Sequence, residues 1–177
     1  MDVGGGSTEC IIGSGLEAIE RESLQMGCVA TTRRFFGNGK LSRKKWRQAL
    51  VEIGAEFQQF SHRYRELGWR DVLGSSGTIK AIGHICAEMK LTKGAITVEA
   101  LPHVRERLLA AGHIDKIDLP GLSNERRPVI AGGLLVIEAA FNALGIERML
   151  VSRAAMREGI LCDMLGLGGD EDPRDAA

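Results

Sequence analysis

The chain has 177 residues, and its 23 lysines plus arginines balance its 23 aspartates plus glutamates, which leaves a formal net charge of zero. This length suits one domain, because a chain of this size can bury about 70% of its unfolded surface. The balanced charge argues against binding of nucleic acid through bulk electrostatics, and no apolar run reaches the roughly 18 residues of a membrane span.

Four widely spaced cysteines indicate a reducing compartment. They form no CxxC pair, and the four histidines show no metal-ligand spacing. No secretory signal is present either, so we expect buried, reduced thiols in a cytoplasmic protein. The cysteines are Cys10, Cys28, Cys86 and Cys162.

The amino-terminal segment predicts strands followed by a helix. A glycine-rich loop at residues 4–6 separates a short first strand from a second, and a glycine-containing turn leads into a third. A helix follows and ends at another pair of glycines. The predicted bounds are Glu9–Ile12 and Ala18–Gln25 for the strands, Gly13–Gly15 for the turn and Gly27–Phe36 for the helix.

A long amphipathic helix is the clearest predicted element. Ser42 is a good N-cap for it and Gly68 a good C-terminal stop. Apolar residues recur between them at alternating spacings of four and three, which predicts one buried stripe. We expect the stripe to pack against a sheet, because about three heptads are too few for a persuasive coiled coil. Its members are Trp46, Leu50, Ile53, Phe57, Phe60, Tyr64 and Leu67.

The remaining elements alternate between strand and helix. Two further strands are predicted at Trp69–Leu73 and Met149–Ser152. Gly132-Gly133 lies inside a predicted helix, where it indicates close approach of another backbone or a ligand. This order predicts an α/β domain with a mixed sheet flanked by helices. The predicted helices are Ile79–Met89, Val98–Ala111, Ser123–Leu144 and Ala154–Leu165.

The first nine residues combine three glycines, a serine and two acids. Backbone N–H groups of a glycine bend can converge on a phosphate, and the flanking carboxylates can hold a divalent cation such as Mg²⁺ and orient water. The loop matches neither GxxxxGK[ST] nor GxGxxG, and a glycine-rich hairpin turn is the purely structural alternative. The predicted catalytic and metal-binding residues are Asp2 and Glu9, and the predicted phosphate-binding residues are Gly4, Gly5, Gly6 and Ser7.

Three further segments are candidates for substrate contact. Residues 31–51 contain seven basic residues and no acid, a pattern that suits a polyanion but is also typical of a solvated helix face. Gly74–Thr78 follows a predicted strand, where ligands often bind and where hydroxyl-capped turns are equally common. Arg157 can face an anion or form a surface salt bridge. The predicted contacts are Ser75, Ser76, Arg157, Arg33 and Lys44.

Five segments, in this order, resemble the exopolyphosphatase / guanosine pentaphosphate phosphohydrolase (Ppx/GppA) family. The resemblance implies a ribonuclease-H-like fold of the superfamily that includes actin, acetate kinase and the sugar kinases. It covers only the second of the family's two such domains. The segments are Asp2–Glu9, Met26–Val29, Gly74–Ala81, Pro120–Arg126 and Arg157–Gly159.

The resemblance also implies a domain organisation. Residues 1–168 would form the second domain with a truncated first strand. The acidic composition of residues 169–177 predicts a tail that is disordered or is the stub of a severed connection. The family's first domain, with its own phosphate loop and a catalytic glutamate, would lie upstream. Arg153 stands where the family usually has aspartate, so that segment departs from the family pattern.

The activity implied by the resemblance is hydrolysis of a terminal phosphoanhydride by in-line attack of water. Asp2 would bind Mg²⁺ or position the water, Glu9 would be the second acid, and the glycine loop would be the second of two phosphate loops. The substrate would be inorganic polyphosphate, pppGpp or both. We expect the isolated chain to be inactive, because positioning by both walls of a cleft dominates phosphoryl transfer.

Two other interpretations stay open. The chain could be a non-catalytic polyanion-binding or regulatory module of the same fold, in which the lysines near Lys44 matter and the two acids do not. It could also be kinase-like, with an adenine site around Gly74–Thr78 and Gly132-Gly133. The exposed strand backbone beside Asp2 further suggests a homodimer.

Overall fold

Six strands and five α-helices alternate along the computed structural model, which describes residues 1–15 and 17–152. Two short 3-10 helices lie at Ile114–Lys116 and Arg127–Val129. The strands are β1 (Asp2–Val3), β2 (Thr8–Ser14), β3 (Glu17–Leu24), β4 (Leu73–Gly74), β5 (Ile96–Thr97) and β6 (Arg148–Val151). The helices are α1 (Cys28–Phe36), α2 (Arg43–Leu67), α3 (Gly77–Glu88), α4 (Ala100–Ala111) and α5 (Ile130–Leu144).

The strands form two three-stranded sheets, β1-β2-β3 and β4-β6-β5, which meet where β1 lies beside β4. Asp2 and Ser75 form a parallel bridge there, and the Ser75 N–H donates to the Met1 carbonyl at 2.9 Å. The order across the molecule is therefore β3-β2-β1-β4-β6-β5. Because β4 and β6 are parallel while the other ladder pairs are antiparallel, the predicted mixed sheet is confirmed.

Helix α5 lies at the centre of the helices and contacts each of the other four. All of its residues except Asn142 and Ala143 are buried, as expected of a helix that is apolar on every side. The apolar stripe of α2 is confirmed, with Trp46 and Phe57 fully buried. The expected sheet contact is only minor, because α2 packs mainly on α5.

The segment Arg127–Leu144 has a mean hydropathy of 1.4 over 18 residues, long and apolar enough to cross a membrane by length and composition. However, 78% of this segment is buried inside the protein. Its apolar character is therefore accounted for by its contacts with the surrounding helices.

Two predicted boundaries are wrong. The strand predicted at Trp69–Leu73 is reduced to β4 (Leu73–Gly74). In the register of the parallel pair, the first residue of β6, Arg148, lies opposite Asp71, so β6 does not reach residues 69 and 70. The helix predicted from Ser123 begins at Ile130. Pro128 has no N–H and restricts its predecessor, so a 3-10 turn precedes the α-helix. The helix predicted at residues 154–165 lies outside the described residues, and β5 was not predicted.

The glycine pair in α5 permits close helix packing. A Cβ on Gly132 would lie 2.5 Å from the Cys28 carbonyl oxygen of α1, and one on Gly133 would overlap the Thr78 methyl group of α3. The predicted close approach of another backbone is thereby confirmed. Because both glycines are buried against helices, they offer no room for the adenine site of the kinase-like interpretation.

The described cysteines are free and buried, as predicted: Cys10, Cys28 and Cys86. Burial raises the pKa of the Cys10 thiol and of the Cys86 thiol to about 11 in each case. Both therefore stay protonated and unreactive at neutral pH. Cys162 lies outside the described residues.

One carboxylate, that of Glu138, is buried among the helices. Its side chain is only 7% exposed. The Trp46 Nε1–H donates to Glu138 Oε2 at 2.8 Å, and the Arg105 guanidinium pairs with Oε1. These bonds join α2, α4 and α5, so the single ionisable residue of α5 is satisfied by one neutral donor and one cation.

Candidate functional site

A row of polar side chains crosses four adjacent strands. Asp2 of β1 stands opposite Glu9 of β2, which stands opposite Ser23 of β3. On the other side, Asp2 bridges to Ser75 at the end of β4. Directly opposed residues project from the same face of a sheet. We call this line of Ser23, Glu9, Asp2 and Ser75 the polar row.

Hydroxyl groups hold one oxygen of each carboxylate in the polar row. Ser75 Oγ donates to Asp2 Oδ2 at 2.7 Å. Ser7 Oγ donates to Glu9 Oε1 at 2.5 Å, and Ser23 Oγ reaches the same oxygen at 3.4 Å. Within residues 1–15 and 17–152, Asp2 Oδ1 and Glu9 Oε2 have no partner. Each carboxylate can therefore bind a ligand with one oxygen while the other fixes its orientation.

The glycine loop beside the polar row is anchored to the start of α1. The Gly4 N–H closes the turn onto the Ser7 carbonyl at 2.9 Å. The Gly4 carbonyl accepts from Cys28 N–H at 2.8 Å, and the Gly5 carbonyl accepts from Val29 N–H at 2.9 Å. The loop thus caps donors that a helix N-terminus otherwise leaves unsatisfied.

The loop's own donors are left open. Gly5 and Gly6 are exposed, and the described part of the chain provides no acceptor for their N–H groups. Successive free N–H groups in a turn are suited to an anion such as phosphate. The loop is therefore compatible with both interpretations. It is a tight hairpin turn whose carbonyls accept hydrogen bonds from α1, and the N–H groups of Gly5 and Gly6 are left for a ligand.

Gly27, which lies just before α1, allows the glycine loop to approach that helix closely. A Cβ there would lie 2.5 Å from the Gly4 carbonyl oxygen and the same 2.5 Å from the Gly5 carbonyl oxygen. By contrast, a Cβ on Gly6 would meet nothing within 4 Å, and Gly6 does not have a left-handed φ. Gly27 stood within a family-like segment of the sequence, but this packing role was not predicted.

We expect Gly27→Ala to lower the free energy of unfolding by about 1–3 kcal/mol, because its methyl group forces the glycine loop away from α1. Gly6→Ala is the matched control and should stay within about 0.5 kcal/mol of the parent chain. Urea unfolding followed by circular dichroism measures both. Equal losses for the two variants would contradict the anchoring of the loop on α1.

The turn after β4 positions Ser75 and uses Ser76 differently. Ser76 adopts φ +118°, a strained conformation for a residue other than glycine, and its Oγ accepts from the Ile79 N–H at 3.2 Å. Its hydroxyl therefore caps α3, whereas that of Ser75 lies in the polar row. Arg126, which was not a predicted site residue, packs closely against Gly77. A Cβ on Gly77 would overlap the Arg126 guanidinium.

No hydrogen bond or ion pair within the described part of the chain joins the predicted contacts Arg33 and Lys44 to the polar row. Arg33 lies in the last turn of α1, whereas the glycine loop contacts the first turn. Within the basic run, Arg34 pairs with Glu52 at 2.9 Å. The Arg43 guanidinium, hydrogen-bonded to Glu106, holds the pKa of that carboxyl below its usual range.

Four other cations of the run are exposed and have no polar side-chain partner in the described part of the chain: Arg33, Lys40, Lys44 and Arg47. Arg157 lies outside that part. The roles of all these residues in binding stay predictions.

The sequence pattern of the Ppx/GppA phosphatase family matches residues 1–167. The chain belongs to this family. It is 39% identical over 178 residues to a guanosine-5'-triphosphate,3'-diphosphate pyrophosphatase of Aeromonas hydrophila, covering 99% of this chain and 35% of that protein. It is also 37% identical over 161 residues to a Haemophilus influenzae protein named "Putative exopolyphosphatase", covering 91% of this chain and 50% of that protein.

Solved Ppx/GppA structures show the same fold. The Aquifex aeolicus PPX-GPPA enzyme superposes with a TM-score of 0.75 at 20% identity, covering 92% of this chain and 55% of that one. An exopolyphosphatase from Cytophaga hutchinsonii gives a TM-score of 0.75 at 20% identity, covering 94% of this chain and 56% of that one. The predicted α/β fold is confirmed, and it is the fold of these Ppx/GppA proteins. The chain spans about a third to a half of the length of the two relatives.

Proposed function

We propose that this Ppx/GppA domain forms one wall of an active site that releases terminal orthophosphate from inorganic polyphosphate, pppGpp or both. The observation that carries the proposal is the polar row beside the open glycine loop. Two carboxylates, each fixed through one oxygen, lie next to backbone donors that no protein group uses. The names of the relatives, a pppGpp pyrophosphatase and an exopolyphosphatase, support the same class of substrate.

Each group in the site has a role that its geometry supports. The N–H groups of Gly5 and Gly6 bind phosphate oxygens, and Asp2 orients the attacking water through its open Oδ1. Such preorganised donors stabilise the charge that spreads over the phosphate oxygens in the transition state. Ser7 and Ser75 position the carboxylates, so their contribution acts through Glu9 and Asp2.

The donor set of the polar row fits Mg²⁺, which is commonly held by one or two carboxylates together with water and substrate phosphates. Asp2 Oδ1 and Glu9 Oε2 are the oxygens that would hold it. The described residues contain no group of three His, Cys, Asp or Glu that could hold a metal, so water and substrate oxygens would have to complete the shell. When bound, Mg²⁺ offsets negative charge on the phosphate.

A complete site needs a second wall. The relatives are two to three times longer than this chain, so a further domain facing the polar row is part of the proposal. We place the reaction in the cytoplasm because the described thiols are free and buried.

The proposal is tested by measuring phosphate release from polyphosphate and from pppGpp in the presence of Mg²⁺. The 177-residue chain is compared with a form extended upstream by the family's first domain. We expect turnover by the extended form and none above background by the chain alone. Robust turnover by the chain alone would contradict a one-walled site.

The non-catalytic polyanion-binding module remains a second candidate function, favoured by the exposed cations of the basic run. In that case polyphosphate binding would depend on Lys44 and its neighbours and would be insensitive to Asp2 and Glu9. The two candidates therefore differ in which charges control binding and which control phosphate release.

A further inference from the structure

Helix α5 begins without a side-chain cap of its own. The residue before it, Val129, carries no polar side-chain atom that could accept from the first N–H groups of the helix. A capping side chain at that position normally satisfies the N–H of the second or third helical residue. The third residue of α5 is Gly132, so its N–H needs an acceptor from another part of the chain.

That acceptor is the hydroxyl of Thr32, which lies in the middle of α1. The Gly132 N–H donates to Thr32 Oγ1 at 3.2 Å. Thr32 Oγ1 in turn donates to the Cys28 carbonyl of its own helix at 2.7 Å, and the Val129 carbonyl lies farther away at 3.4 Å. Because a hydroxyl can donate one bond and still accept another, Thr32 joins the two helices.

Glycine at residue 132 leaves the space that this hydroxyl occupies. A Cβ on Gly132 would overlap Thr32 Oγ1 and would lie 2.6 Å from the Thr32 nitrogen. Thr32 is only 7% exposed, and a buried N–H that loses its acceptor is costly. We therefore expect the hydroxyl to hold α1 and α5 in one arrangement.

The contact continues through Cys28 to the glycine loop. The Cys28 carbonyl accepts from Thr32 Oγ1, and the Cys28 N–H donates to the Gly4 carbonyl at 2.8 Å. Consecutive hydrogen bonds thus connect the loop, the first turn of α1 and the start of α5. Since α5 is buried among the other helices, it gives α1 a fixed support.

We propose that Thr32 is a positioning residue of the glycine loop. Its hydroxyl fixes the first turn of α1 on α5 and thereby sets where the N–H groups of Gly5 and Gly6 point. No hydrogen bond in the described part of the chain joins Thr32 to the polar row or to the loop, so it acts through α1. The inference rests on the proposed function for its effect on phosphate release, whereas its effect on the loop does not.

Thr32→Val tests the proposal in the 177-residue chain, because valine keeps the shape of threonine and removes the hydroxyl. The N–H groups of Cys28 and Val29 donate to the loop carbonyls. We expect their exchange with solvent to become about tenfold faster relative to that of the amides of α4. Thr32→Ser keeps the hydroxyl and should restore the ratio of the parent chain.

Ser61→Ala is the matched control for the loss of a buried hydroxyl. Ser61 is 4% exposed, and its Oγ donates to the Gln58 carbonyl within α2 at 3.3 Å. Any loss of stability in this control speeds exchange through global unfolding throughout the domain. The ratio of exchange at Cys28 and Val29 to exchange in α4 should therefore stay that of the parent.

In the upstream-extended form, Thr32→Val should raise the KM for polyphosphate by about threefold to tenfold, because the loop donors are less well aligned with the phosphate. A variant that is only less stable contains fewer folded molecules, which lowers the apparent kcat and leaves KM unchanged. Thr32→Ser and Ser61→Ala should both keep the KM of the parent.

Two results would overturn the proposal. One is exchange at Cys28 and Val29 that rises no more than exchange in α4. The other is an unchanged KM for Thr32→Val in an extended form that releases phosphate. If the extended parent releases no phosphate, the proposed function fails, and the exchange ratios still decide the role of Thr32.

Discussion

Replacing Glu138 with alanine is expected to lower the free energy of unfolding by about 3–5 kcal/mol, the usual effect of removing one partner of a buried ion pair. Glu138 is 5% exposed, and its two oxygens take Arg105 and the indole N–H of Trp46. Glu138→Ala leaves the Arg105 guanidinium without its buried partner and the Trp46 donor without an acceptor. Urea denaturation of the purified chain measures the loss.

Two matched variants separate charge from packing at this position. Glu138→Gln keeps an acceptor for Trp46 but removes the ion pair, so its loss should be intermediate. The double variant Glu138→Leu, Arg105→Leu removes both charges, and it should recover much of the stability because apolar replacement of a buried pair is often neutral or favourable. A loss below about 1 kcal/mol for Glu138→Ala would show that the pair contributes little.

If the proposed function holds, Asp2→Asn in the upstream-extended form is expected to slow phosphate release by about 100-fold to 1,000-fold. The amide keeps the size of the side chain and can still accept from Ser75 Oγ, but it loses the negative charge that would hold Mg²⁺ and orient the attacking water in the proposed site. Phosphate release under saturating polyphosphate gives the comparison. Asp118→Asn, an exposed acid distant in sequence from the polar row, is the control and should match the parent.

Charge reversal in the basic run tells the two candidate functions apart. If the domain is one wall of a hydrolase site, Lys44→Glu should leave the maximal rate near that of the parent, because Lys44 does not contact the polar row. If the domain is a non-catalytic polyanion-binding module, Lys44→Glu should weaken polyphosphate binding while Asp2→Asn leaves binding unchanged, and the parent form should release no phosphate above background. The second pattern would reject the proposed function.

The sequence predicted helices well where local signals were strong. Ser42 caps α2 through its side chain and Gly68 ends the helix, as the sequence predicted. The sequence failed where the outcome depended on distant pairing. Residues 69 and 70 look like a strand, but no strand among the described residues lies beside them. At Ser123 a strong cap signal was outweighed by Pro128, which delayed the α-helix to Ile130.

The candidate site shows the same division. The two acids and the three glycines could be predicted as site residues from residue type alone, because they lie together within residues 2–9. Ser23 and Ser75 are brought beside them only by strand register, which connects residues that are distant in sequence. Gly27 is required because of a backbone approach that no local pattern encodes.

The anchoring of the glycine loop on α1 has a thermodynamic consequence for ligand capture. The loop's carbonyls are tied to the first turn of α1, so its conformational entropy is already lost when the domain folds. In the proposed site, binding of a phosphate would then cost little further ordering of the backbone, and more of the interaction free energy would appear as affinity. Helix α1 therefore stiffens the loop through backbone hydrogen bonds.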